Sequence, residues 1–96
     1  MATQSAETQS QAETKVYVLD YTPALLDGVS ITAVALSYSG DNADGNEPVM
    51  FSILNGNVAF VSIGNLELGH HVISCLADTD DVAIKPEIQL LIDVKY

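Results

Sequence analysis

The chain has 96 residues, with thirteen Asp and Glu against three Lys and no Arg, giving a formal net charge of −10. That length fits one compact domain, and a hydrophobic fraction of 48 % marks it as globular, not disordered. Three cations cannot build the patch that phosphate backbones or anionic lipid surfaces require, so neither nucleic acid nor membrane is an expected partner.

Residues 1–14 (MATQSAETQSQAET) contain neither a basic start nor an apolar run, so they do not read as a secretory signal. No apolar stretch approaches the ~18 residues a membrane span needs. The expectation is synthesis in a cytoplasm without a cleaved export signal. Lacking branched aliphatic and aromatic residues, 1–14 cannot offset its ordering entropy by burial. It is expected to be an arm, flexible alone or ordered on a partner, ahead of a single domain at 15–96.

From Lys15 the pattern turns to β. Val16 to Leu19 form a β-rich run, closed by Asp20-Tyr21-Thr22-Pro23, with Leu25 and Leu26 before an Asp27-Gly28 turn. Ser30 to Tyr38 reads as a strand. Val34, Leu36 and Tyr38 share one parity while Ile31 has the other, so a bulge near Ala33 would turn all four inward. Ser39 to Pro48 is a polar loop rich in turn residues. Val49–Leu54 and Val58–Ile63 flank Asn55-Gly56, a tight-hairpin pair, and carry apolar residues on both parities. Gly64 to Gly69 reads as a loop bearing Leu66 and Leu68. His71, Ile73, Cys75 and Ala77 alternate along a further strand, and Ile88, Leu90, Ile92 and Val94 along the last. Pro86 belongs before that last strand or on an edge, because it cannot donate to a ladder. Six or seven short strands, with turn signals every 8–12 residues, predict a β-sandwich.

Candidate chemistry is sparse. Adjacent side chains on a strand point to opposite faces, so His70 and His71 cannot share an ion. The acidic loops Asp41–Glu47 and Asp78–Asp81 could offer oxygens to calcium, but their spacing does not match a twelve-residue calcium loop and fits plain turn chemistry. Cys75, the lone cysteine, falls between Ile73 and Ala77 on the inward parity, where a small inert hydrophobe belongs. No nucleophile elbow, phosphate-binding glycine loop or carboxylate dyad is apparent. No catalytic, cofactor or metal residue is assigned, and an enzyme is not expected.

Tyr17-Val-Leu-Asp20-Tyr21, followed by Leu25 or Leu26, Gly28 and Ser30-Ile31-Thr32, resembles the opening of small immunoglobulin-like virion proteins of tailed bacteriophages, among them fibre–tail adaptors. Gly69-His70-His71-Val72-Ile73-Ser74-Cys75 is similar to a later strand of that group, with His71 in an aromatic's place, and Leu90, Ile92 and Val94 fit its closing strand. The resemblance spans about residues 16–95. The chain departs from the group in having no Trp on its second strand and in carrying GNLELG where the group has a glycine-pair turn.

The resemblance implies that the predicted all-β sandwich of about seven strands is immunoglobulin-like; the extended N-terminal arm expected from composition lies outside it. The resemblance also implies a non-enzymatic virion protein joining tail and fibre components, within a symmetric multi-copy assembly of tail, fibre or capsid subunits. A capsid decoration protein is the near alternative, and a surface or secreted binding module a more distant one. Contact residues expected from parity and from the arm are Leu66, Leu68, Leu91, Thr3, Gln4, Gln9 and Gln11.

Overall fold

The computed structural model describes residues 3–95; the first two residues of the expected arm and the last of the expected domain lie outside them. Seven strands run in chain order: β1 Thr3–Gln9, β2 Lys15–Asp20, β3 Ile31–Gly40, β4 Val49–Asn55, β5 Val58–Gly64, β6 Gly69–Thr79 and β7 Glu87–Val94. They form two sheets, ordered β1-β7-β6-β3 and β2-β5-β4, packed as a β-sandwich. The only helical piece among the described residues is a single 3-10 turn, Thr22–Ala24, with Pro23 in its first turn where no N–H is needed.

Period-2 patterning explains the core. The three-stranded sheet turns Tyr17, Leu19, Ala59, Val61 and Ile63 inward, and the four-stranded sheet answers with Ile31, Ile73, Cys75, Ala77, Leu90, Ile92 and Val94. The β3–β6 register shifts between Ile31 and Ala33, the bulge that the parity change there predicts. It buries Ile31 while Val34, Leu36 and Tyr38 pack against the same core. The Tyr21 hydroxyl crosses the sandwich to donate to the Cys75 carbonyl at 2.7 Å, satisfying the one polar atom of a ring buried to 1 % exposure.

The β4–β5 hairpin forms one residue later than the Asn55-Gly56 signal suggests. Asn55 pairs with Val58, leaving Gly56-Asn57 as the two-residue loop. Gly56 has φ +62° and Asn57 a negative φ, the pattern of a II′ turn with glycine first. The shift frees Asn57 to lock neighbouring segments: its carbonyl accepts from the Tyr21 N–H at 2.9 Å and its side chain from the Ile31 N–H at 3.0 Å.

The expected arm requires correction. Residues 3–9 are β1, an edge strand of the domain itself, pairing in parallel with β7 from Thr3↔Ile88 to Gln9↔Val94. Composition predicted no burial, and little occurs. What holds the strand is a backbone ladder, which any side chain can join, together with Gln9. Gln9 is 1 % exposed; its Nε2 donates to the carbonyls of Glu13 at 2.9 Å and Ile63 at 3.0 Å, and its Oε1 accepts from the Tyr17 hydroxyl at 2.8 Å.

Candidate functional site

The contact residues expected from sequence are not brought together. Leu66 is buried to 1 % exposure and belongs to the core, contrary to its expected role at an interface. Strand parity does not extend into an irregular loop: Asn65 takes a left-handed φ of +60° and the next side chain plugs the sandwich end. Gln9 is likewise buried, for the hydrogen-bonding reason above, and is no contact residue. Leu68 is half exposed in the loop before β6, Gln11 is exposed in the turn after β1, and Thr3 and Gln4 are exposed on β1, where Gln4 bonds Gln89 across the ladder. Leu91 is half-buried on the outer face of the four-stranded sheet. It lines an open groove of ≈ 420 Å³ with Ala6, Thr8, His70 and Asp93.

The groups that could carry chemistry are committed to structure. His71 is buried; its Nε2 donates to the Glu67 carbonyl at 2.7 Å, leaving Nδ1 to accept from the Tyr38 hydroxyl at 2.7 Å. Tyr38 stacks on the same ring and accepts from the Asn42 N–H at 3.0 Å. His70 faces solvent and approaches the Asp93 carboxylate at 3.3 Å. In the expected acidic loop, Asp41 accepts from the His70 N–H at 2.8 Å. The Glu67 carboxylate accepts from the Asn46 amide and the Ala43 N–H, both at 2.7 Å, and these bonds hold its pKa below the ordinary carboxylate value. Glu67 thereby ties the β5–β6 loop to the β3–β4 loop, and Asp41 ties the latter to the start of β6. Among the described residues no cluster of three or more His, Cys, Asp or Glu is placed to hold a metal ion. Burial pushes the Cys75 thiol up to about 12, far from the thiolate that nucleophilic attack requires.

The feature that stands apart is the outer face of β2-β5-β4. Val18, Phe60 and Ile53 lie in one cross-strand row; Val16, Ser62 and Phe51 form the next, and Val49 stands opposite Gly64. The six large apolar side chains in these rows are 37–62 % exposed. Taking ~150–200 Å² for a fully exposed side chain of this size, on the order of 500 Å² of apolar surface faces water in one patch. At ~25 cal/mol per Å² its burial is worth roughly 12 kcal/mol before association costs. Asp20, at one corner, is the sole acid at an outward position of these strands.

The signal for this face lies in the two-sided hairpin and in the unbroken Val16-Tyr17-Val18-Leu19 run. Both give each strand an apolar residue on either parity, in a sheet that has a second sheet on one side only. A scan against protein-family models finds no match, and searches of curated proteins and of solved structures return no significant match.

Proposed function

We propose that this chain is a non-enzymatic structural protein of a tailed-bacteriophage virion, an immunoglobulin-like domain that joins tail and fibre components through protein–protein contact. The observation that carries the contact role is the apolar outer face of β2-β5-β4. A contiguous patch of about 500 Å² lies toward the upper end of what monomers expose, where such patches are often functional, and it supports a surface that is covered in use. The two phenyl rings on it, Phe51 and Phe60, stand among Val and Ile with the buried Ser62 as the one hydroxyl between the rows, which is too few polar groups to orient a saccharide.

Two details support the immunoglobulin-like part of the reading. The orders β2-β5-β4 and β7-β6-β3 reproduce the B-E-D and G-F-C orders of that fold, with β1 moved across to run parallel to β7. His71, near the start of the sixth strand, bonds the backbone carbonyl four residues upstream, as the corner tyrosine of immunoglobulin-like domains bonds back to its own upstream backbone.

The virion reading is tested by immunogold labelling of purified particles from infected cells. Label at the tail tip or collar is the expected result. Label spread over the shell would transfer the protein to capsid decoration, and particles free of it would overturn the virion role.

A further inference from the structure

Resting on the reading of the β2-β5-β4 face as a contact surface, we propose that its occupant is a second copy of this chain. The two copies pack these faces together about a twofold axis. Area is the first argument. The patch, on the order of 500 Å², is about a tenth of the 5500 Å² accessible surface, the share a small protein commits to a stable partner. Two such faces together remove about 1,000 Å² of apolar surface from water before any rim is counted, which reaches the lower bound for a specific interface.

Charge is the second argument. Two copies carry −10 each, so they can meet only where acids are absent. Twelve of the thirteen acids lie off the outward positions of these strands. They stand in the loops (Asp41, Asp44, Glu47, Glu67, Asp80 and Asp81 among them) or on the other elements, as Asp78 does on β6. No compensating cation is needed at the centre, and none of the three Lys holds an outward position in these rows. Shape is the third argument. A twisted antiparallel sheet presenting alternate large apolar side chains is the surface that stacks on its own kind, at about 10 Å separation, in any sandwich.

The salt response separates this occupant from a foreign one. Two acidic copies repel at their rims, so added salt tightens the dimer, whereas a partner held by a basic rim would let go.

The test is sedimentation equilibrium on the purified chain, at ~20 mM and ~300 mM salt and up to about 0.5 mM protein. The expected result is a monomer–dimer equilibrium in the micromolar range, several-fold tighter at the higher salt. Phe51→Lys on β4 and, independently, Val18→Lys on β2 should each weaken it at least tenfold without changing the far-ultraviolet circular dichroism. Leu91→Lys, on the opposite sheet, should leave it intact. Monomer throughout at both salts overturns the second copy, as does a dimer indifferent to both face variants. The underlying reading fails separately: if Phe51→Lys protein enters particles as well as wild type does, the face is not a contact surface at all. A monomeric chain whose particle entry is lost with Phe51→Lys would keep that reading and reject self-association.

Discussion

Gln9 is the side chain on which the N-terminal strand depends, and its replacement gives the sharpest test of how β1 is held. In Gln9→Ala the Tyr17 hydroxyl loses its acceptor at 2.8 Å, while the Ile63 and Glu13 carbonyls lose donors at 3.0 and 2.9 Å. Tyr17 and Ile63 are both buried, so neither group is repaired by bulk water without opening the sandwich end. Each bond contributes about 1 kcal/mol net, and a stranded buried partner adds its own desolvation cost. The expected loss is therefore about 2–4 kcal/mol, a large share of the ~5–15 kcal/mol that holds a domain together. Urea unfolding followed by circular dichroism measures it. With a slope near 1 kcal/mol per M, the midpoint should fall by roughly 2 M or more while the slope stays unchanged. Gln11→Ala, two residues on and exposed, supplies the control, with an expected change within about 0.5 kcal/mol. A cycle with Tyr17→Phe should recover part of the loss as coupling, since both single changes break the same bond. If Gln9→Ala and Gln11→Ala unfold at the same urea concentration, the three bonds do not anchor the strand and the argument fails.

Deleting residues 1–9 removes the same bonds together with the whole β1–β7 ladder, so it should cost at least as much as Gln9→Ala. A truncated chain that melts like the full one would mean that the strand is only laid against the domain. At high pH the chain should lose stability early. The Tyr17 hydroxyl is pushed from 10.0 to about 12, chiefly by burial and then by Glu7 and Glu13, and the Cys75 thiol from 9.0 to about 12 by burial and then Glu87. Between the ordinary and the raised values the unfolded chain gives up protons that the folded chain keeps. Stability is therefore complete below about pH 9 and falls as pH rises toward about 12. The share of the phenolate absorbance that Tyr17→Phe removes should rise together with the loss of circular dichroism across that window; that share formed with the fold intact would contradict it. Cys75 should resist an aromatic disulfide reagent in the native protein and react fully in denaturant, and rapid native labelling would contradict its burial.

What was legible in the sequence followed from period-2 alternation against a single buried side. The strands β2 to β7, the bulge between Ile31 and Ala33 and the inward setting of Cys75 all come from that rule. It fails where the backbone, not the side chain, decides. β1 is nearly all polar because a parallel edge ladder asks only for N–H and C=O groups, so composition made TQSAETQ look like a tail. Leu66 misled because parity counted through a loop has no meaning once Asn65 takes a left-handed turn. The hairpin slipped one residue because Gly56-Asn57 offers a II′ turn while Asn55 extends the ladder. The apolar outer face was half legible: apolar residues on both parities were plain in β4 and β5, but which parity stays wet depends on where the second sheet lies.

The placement of the acids and the exposure of the face are two sides of one constraint. β4 is an edge strand whose outward residues Val49, Phe51 and Ile53 are all large, apolar and exposed, a combination that invites uncontrolled pairing. A charge on any of the three would be the ordinary protection, and none is there. Protection comes instead from Glu47 and Pro48 just ahead of the strand, from Asn55 and the tight turn behind it, and from a net charge of −10 acting at long range. Long-range repulsion slows encounter between free copies yet leaves the apolar rows undiluted, and salt at physiological strength shortens its reach to about 8 Å. A surface kept free of charge on a chain otherwise crowded with it is what the proposed face-to-face pairing requires, since any acid in those rows would be brought against its own copy.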